Sequence, residues 1–282
     1  SEISEFMSEA KLEYACSADL INHLPYLNFN KEQSDLLNTI DSLSLRETVA
    51  DLMLNRRFRK DYWVRGKIEL TEEELASKWL AQEFVFVADS PQAVDLTVSG
   101  GLGQANLNEE IYGPLLELFE NDRRCNVKRL GAQLSSRNIS LEQIKQALSV
   151  LVSKGCVMPV QMTEVSAKVE ACGASLNRKL SDVAVATSES KNSFRVCSPL
   201  TNGAINLSQQ MLVFVAAWNV GHRTADAITK YAWQRMIAKR QTISVNGEEL
   251  TEEQAQKVLT QAAEGFLQNS LPFMRLLKLV KD

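Results

Sequence analysis

Apolar residues recur at helical spacing along most of this chain, and the clearest run lies between Asn108 and Val160. Ile111, Leu115, Leu118 and Phe119 fall on one face of a first helix, and Val127, Leu130 and Leu134 on one face of a short second one. Ser140-Leu141-Glu142-Gln143 is a capping box, in which Ser140 and Gln143 satisfy each other's backbone N–H groups. The helix it opens carries Leu141, Ile144, Leu148, Leu151 and Val152. Lys154-Gly155 closes it, a cation followed by a residue free to take positive φ. Cys156 to Val160 then reads as a strand. Three helices with a tight turn between the second and third, followed by a strand, predict a winged helix over residues 105–162.

The flanking regions are patterned less plainly. Ser1 to Glu9 reads as the end of a helix and Leu12 to Cys16 as a strand, although no sheet is in view for it to join. Ser44-Leu45-Arg46-Glu47 predicts a capping box with Ser44 as the cap, opening a helix with Leu45, Val49, Leu52 and Phe58 on one face. Thr71 to Glu74 predicts a second, opening a helix through Leu75 and Trp79. Glu83 to Ala88 is a strand by its aromatic and β-branched content; Ser90-Pro91 marks a turn, and Val94 to Val98 a further strand. Ser99 to Gln104 holds the glycine cluster Gly100, Gly101 and Gly103. It lies where a nucleotide-binding turn would lie, but no second strand ending in an acidic residue follows, so a linker is the leading reading.

Towards the C-terminus, Val165, Val169, Cys172, Leu176, Leu180 and Val183 predict one long helix with Gly173 as its weak point. Phe194 to Asn206 is extended and rich in turns, and helices follow at about 208–219 and 222–240. Thr242 to Leu250 predicts a small hairpin turning at Asn246-Gly247. Thr251 to Gln254 caps a last helix that Pro272 interrupts. The fold class expected is mainly α with short β elements (α+β): a multi-helical N-terminal part over 1–104, the winged helix over 105–162 and a C-terminal helical domain over 163–282.

Composition narrows the function classes. The 282 residues are 45% hydrophobic and 23% charged with a net charge of −4, which excludes a disordered or fibrous chain. The longest apolar run, Met211 to Trp218, is far short of the ~20 residues that span a bilayer, and the N-terminus lacks the features of a signal peptide. Five scattered cysteines and two histidines, His23 and His222, offer few metal ligands and count against a Ser-His or Cys-His hydrolase. The expectation from composition is a cytoplasmic protein with reduced thiols and no metal site, which leaves the function open.

Charge is concentrated in two places. Asn55 to Arg65 carries five basic residues and one acid, and Arg56, Arg57, Arg59 and Arg65 are interleaved with Phe58, Tyr62 and Trp63. Such a segment suits an anionic or planar partner through forked hydrogen bonds and cation–π contacts. It also suits a helix C-terminus whose cations complement the dipole while the aromatics enter the core. A second patch comprises Arg123, Arg124, Lys128, Arg129 and Arg137, near the start and end of the predicted second helix of the winged helix. The predicted recognition helix offers Glu142, Gln143, Lys145 and Gln146, nearly neutral and without arginine, and the chain is acidic, so DNA binding is disfavoured.

The stretch Leu45-Arg46-Glu47-Thr48-Val49-Ala50-Asp51-Leu52-Met53-Leu54-Asn55-Arg56-Arg57-Phe58-Arg59-Lys60-Asp61 resembles the signature of the predicted methyltransferase regulatory domain. That domain is found in bacteria, C-terminal to class I S-adenosylmethionine-dependent methyltransferase domains. Ser4 to Tyr14 and Ser17 to Leu20 are similar to the last helix and strand of such a catalytic domain running into the regulatory one. The family's architecture is similar to that of bacterial protein-lysine methyltransferases acting on outer-membrane proteins. The resemblance implies a regulatory or substrate-recognition module whose partners are a catalytic domain, in cis or trans, and a protein substrate, with a second copy of the chain as a further candidate. It implies that S-adenosylmethionine is held by the associated catalytic domain and not here. Partner contacts are then expected from Arg56, Arg57, Phe58, Arg59, Tyr62 and Arg65. The alternatives are a winged-helix DNA-binding regulator and a small methyltransferase using the Gly100–Gly103 loop.

Overall fold

Short polar side chains start the helices of this chain, because their oxygens accept first-turn N–H groups that have no partner inside the helix. The computed structural model describes residues 2–88, 90–187, 193–238, 244–245 and 248–280, divided between two units, Ser1–Val160 and Gln161–Asp282. It is mainly helical with short strands in small sheets.

The first unit opens with α1 (Glu2–Glu9), β1 (Glu13–Ser17), α2 (Pro25–Asn28), α3 (Lys31–Asn38), α4 (Leu43–Met53), β2 (Asp61–Val64) and α5 (Glu72–Ala81). The N-terminal strand has a partner after all: β1 pairs antiparallel with β2, setting Tyr14 opposite Trp63 and Ser17 opposite Asp61. The predicted box at Thr71 and Glu74 forms, and the bonds from the Thr71 N–H and hydroxyl hold the Glu74 carboxyl below its ordinary pKa. The predicted cap at Ser44 does not form. α4 starts earlier, capped by Ser42, whose oxygen accepts from the Leu45 N–H. Glu47 is thereby freed for the tertiary contacts described below. The apolar face expected of this helix is also largely outside: Leu45 and Leu52 are exposed and Val49 is half-buried, while Ala50 is buried.

The rest of the unit comprises β3 (Glu83–Phe86), β4 (Thr97–Gly100), β5 (Gly103–Asn106), α6 (Glu109–Asn121), β6 (Arg124–Asn126), α7 (Val127–Leu134), α8 (Leu141–Ser153) and β7 (Val157–Pro159). β3 lies between β6 and β7, antiparallel to both. Phe86, Leu115, Phe119, Leu130, Ile144, Leu148, Leu151 and Val157 are fully buried in one core against it. The box at Ser140 and Gln143 starts α8, and Gly155 at φ +72° follows its end, as expected.

The glycine cluster is a hairpin, which corrects the linker reading. β4 and β5 pair antiparallel with Gly100 opposite Gly103, and the strand expected at Val94–Val98 begins at Thr97. Sterics explain the glycines. A Cβ on Gly100 would stand 2.3 Å from the Leu27 carbonyl oxygen, and one on Gly101 would stand 2.2 Å from Leu54 Cδ2, while Gly103 sits at φ +108°.

The second unit holds α9 (Ala167–Ala186), β8 (Phe194–Ser198), β9 (Gly203–Leu207), α10 (Gln209–Asn219), α11 (Ala225–Ala238), β10 (Ser244–Val245), β11 (Glu248–Glu249), α12 (Glu252–Gly265) and α13 (Leu271–Leu276). The strands of the small hairpin expected after α11 pair antiparallel, whereas its Asn246-Gly247 turn lies outside the described residues. Pro272 stands in the first turn of α13, after a single π turn at Phe266–Ser270. That turn resets the hydrogen-bond ladder where the proline ring would otherwise meet a carbonyl.

α9 contradicts its sequence pattern. Val169, Leu176 and Val183 are about half exposed, and Cys172 is exposed. The buried stripe is Gly173, Asn177, Ser181 and Ala184. Gly173 is no weak point but a close approach, since a Cβ there would stand 2.8 Å from Pro199 Cγ. Asn177 Nδ2 donates to the Cys197 and Leu279 carbonyls (2.8 and 3.2 Å), and its oxygen accepts from the Cys197 N–H (2.8 Å).

Candidate functional site

The basic segment begins where α4 ends. Asn55 takes a left-handed conformation (φ +47°), its N–H donates to the Leu52 carbonyl, and the Arg56 N–H donates to the Asp51 carbonyl. This Schellman closure turns the chain back along the helix. Arg56 Nη1 then reaches Asp51 Oδ1 and Arg56 Nη2 reaches Asn22 Oδ1, both at 2.8 Å.

Arg59 is the centre of the local electrostatics. Its Nε donates to Asp61 Oδ2 (2.9 Å), its Nη1 to Asp51 Oδ2 (2.9 Å), and its Nη2 to Glu47 Oε2 (2.9 Å) and the Tyr14 hydroxyl (3.0 Å). Burial alone would lower the guanidinium pKa, but the hydrogen bonds and charges of Asp61 and Asp51 outweigh it, so the net shift is upward. The Tyr14 hydroxyl, which donates to Glu47 Oε2, is pushed up to about 12, by burial first and then by the Glu47 charge. One guanidinium thus ties β1, α4 and the start of β2 together. Tyr14, Glu47, Asp51 and Asp61 escaped the sequence reading. Their one local signal is that Glu47 and Asp51 stand four apart, on one face of a helix that leads into a run of arginines.

Between these two anchored arginines the chain projects outward. Arg57 is exposed and makes no hydrogen bond or ion pair among the described residues, and Phe58 is 91% exposed. Tyr62 is exposed on β2, while Arg65 donates to the Ala10 carbonyl (3.0 Å). The helix-terminus reading of the segment accounts for Arg56 and Arg59, which bond to carboxylates on α4. It fails for Phe58 and Tyr62, which do not enter the core.

The second patch is dispersed and mostly paired. Arg124 bonds Glu83, Arg129 bonds Asp122, and Arg137 lies 3.0 Å from Glu117. Arg123 donates to the Ala88 carbonyl and lies over the Phe86 ring, and Lys128 is exposed. On α8, Lys145 lies over the Trp79 ring near Glu142. In the glycine hairpin, the Gly101 N–H donates to Asn28 Oδ1 (3.0 Å) and the Leu102 N–H to the Leu27 carbonyl (3.2 Å), so both amides point into the protein.

A cleft of about 410 Å³ is lined by Ile21, Asp95, Thr97, Gln104 and Lys154 among others. The Lys154 ammonium there already donates to the Thr97 carbonyl and lies 3.7 Å from Asp95. His23 Nε2 hydrogen-bonds the Ser17 carbonyl (2.9 Å). Among the described residues, no group of three or more His, Cys, Asp or Glu side chains is placed to hold a metal, and no helix is long and apolar enough to cross a membrane.

The comparisons place the N-terminal segment first. Residues 1–65 match the family model described as the predicted methyltransferase regulatory domain, in accord with the signature at Leu45–Asp61. Over 276 residues the chain is 27% identical to an uncharacterized protein of Synechocystis sp. (strain ATCC 27184 / PCC 6803 / Kazusa), covering 97% of this chain and 52% of that protein. Its fold is similar to that of PKMT2 from Rickettsia typhi in complex with AdoHcy, with a TM-score of 0.59 at 13% identity over 99% of this chain and 57% of that one. A second structure of PKMT2 from Rickettsia typhi gives 0.57 at 13% identity, over 98% and 57%. At this identity the likeness is one of fold alone. The chain spans about half the length of the relatives it matches.

Proposed function

We propose that this chain is a non-catalytic regulatory and substrate-recognition module of an S-adenosylmethionine-dependent protein methyltransferase. In this reading it docks on a catalytic domain through the Arg57-Phe58 projection. The observation that carries it is the in–out alternation of the basic segment within the region that matches the regulatory-domain family. Arg56 and Arg59 are held by carboxylates inside the unit, and this leaves Arg57 and Phe58 projecting outward between them. Exposed arginine and aromatic side chains on a fixed backbone are the residues that dominate binding energy at protein interfaces. Leu45 and Leu52 on α4 and Tyr62 on β2 supply further exposed apolar surface in the same unit.

The inward-pointing amides of the glycine hairpin support assigning the methyl donor to the partner. Residues 105–162 we read as a winged helix used for protein packing. The paired cations around it and the near-neutral α8 give the DNA-binding alternative no specific support.

Calorimetry tests the proposal. S-adenosylmethionine titrated into the chain should give no heat, and a class I methyltransferase catalytic domain added in trans should bind. Arg57→Ala with Phe58→Ala should weaken that binding roughly tenfold or more. Heat from the donor alone, or unchanged docking by the double variant, refutes it.

A further inference from the structure

The second unit carries a row of cations and aromatic rings built from two stacks. α10 ends in a Schellman closure, with the Gly221 N–H donating to the Trp218 carbonyl, the His222 N–H to the Ala217 carbonyl, and Gly221 at φ +101°. The turn folds Arg223 back over the Trp218 ring, its Cζ 3.9 Å from the ring centroid, where Nη1 also donates to the Trp218 carbonyl. Arg275 of α13 lies over the same ring at 5.2 Å. On α11, Arg235 lies over the Tyr231 ring at 4.1 Å, as residues four apart on a helix can, and the His222 ring meets Tyr231 at 5.4 Å. His222 and Arg223 are neighbours in the chain, so the stacks Arg235–Tyr231–His222 and Arg223–Trp218–Arg275 are linked through one turn.

The arginines of the chain differ in how their charges are compensated. Arg56, Arg59, Arg124, Arg129 and Arg137 all have carboxylate partners. Among the described residues, neither Arg223 nor Arg235 has one. Asp226 stands five positions before Tyr231, turned roughly 140° around the helix from it. A guanidinium over a ring keeps edge N–H groups for a second partner, and their fork matches a carboxylate. We infer that this row binds an acidic polypeptide segment, with Asp or Glu carboxylates engaging Arg223 and Arg235. The chain's net charge of −4 argues against phosphate-backbone binding, which needs a broadly basic surface. The inference rests on the second unit alone and does not depend on the methyltransferase reading.

The test is a fluorescence anisotropy titration of the whole chain with a labelled poly-glutamate peptide at low salt. Wild type should bind, and Arg223→Gln with Arg235→Gln should weaken binding roughly tenfold or more. Arg178→Gln with Lys179→Gln, an equal charge loss on exposed positions of α9, should change it less than about twofold. Arg235→Lys keeps the charge and removes the planar fork, and should weaken binding about threefold even if the Arg223 variant disturbs Trp218. Four outcomes overturn the inference: no binding by wild type, equal losses in the two double variants, no effect of Arg235→Lys, or tighter binding of oligothymidylate than of poly-glutamate.

Discussion

α8 and α9 both present an apolar stripe in the sequence, and only one of them buries it. In α8 the stripe Ile144, Leu148 and Leu151 is fully enclosed by the core around β3. In α9 the stripe Val169, Cys172, Leu176 and Val183 faces outward, and the helix packs through Gly173, Asn177, Ser181 and Ala184. α8 is held by apolar area, at about 25 cal/mol per Å² removed from water. α9 is held by close backbone approach and by buried hydrogen bonds to β8 and to Leu279. A helix can thus be anchored by what its small and polar residues permit, leaving its apolar face to other uses.

Mutations at the two helices probe this contrast. Leu151→Ala should have the largest effect, about 3 kcal/mol lost in chemical denaturation, because its cavity lies in a packed core. Asn177→Ala should cost about 2 kcal/mol, since it strands the Cys197 N–H and two carbonyls. Gly173→Ala should cost about 1 kcal/mol net: crowding against Pro199 costs roughly 1–3 kcal/mol, against about 1 kcal/mol gained in helix propensity. Leu176→Ala should cost less than about 0.5 kcal/mol, and a loss equal to that of Leu151→Ala would erase the distinction between the helices.

Smaller effects concern ionisable groups. Cys172 should react with a thiol reagent in the folded protein, whereas Cys125, buried and with its thiol pKa raised by burial, should react only on unfolding. The anchoring of Arg59 sharpens the comparison from the first unit, where a polar cluster also does structural work. Tyr14 is raised from 10.0 to about 12 in the folded state, so the stability it contributes is full below pH 10 and fades as pH rises through about 12. Denaturation across that range should show a smaller loss in Tyr14→Phe than in wild type, the remainder coming from Tyr26 and Tyr112, which burial also raises.

Much of the local structure was legible because its causes lie within four residues. The boxes at Thr71, Ser140 and Thr251 form as expected, and so does the stop at Gly155. The cap of α4 stands at Ser42 and not at the expected Ser44, because the local rule carries no information on tertiary contacts. The choice went to the register that lets Glu47 meet Arg59 and Tyr14. The basic segment was recognisable by charge and by family signature, yet neither could say that Arg56 and Arg59 turn inward while Arg57 and Phe58 turn outward. The roles of Asp51, which bonds Arg56 and Arg59, and of Asp61, which bonds Arg59, were hidden because a count of nearby charges carries no direction.

The amino-acid order alone determined the helix starts at Thr71, Ser140 and Thr251, the stop at Gly155, the apolar register of α8 and the match of the first 65 residues to the family model, since capping and periodic burial act between near neighbours in the chain. Tertiary structure decided the partner of β1, the inward face of α9 and the need for glycine at positions 100, 101 and 173. Each of these depends on atoms brought together from distant segments, such as the Leu27 carbonyl against Gly100 or Pro199 against Gly173. Steric exclusion and buried hydrogen bonding at such contacts outweigh the preferences of any short window.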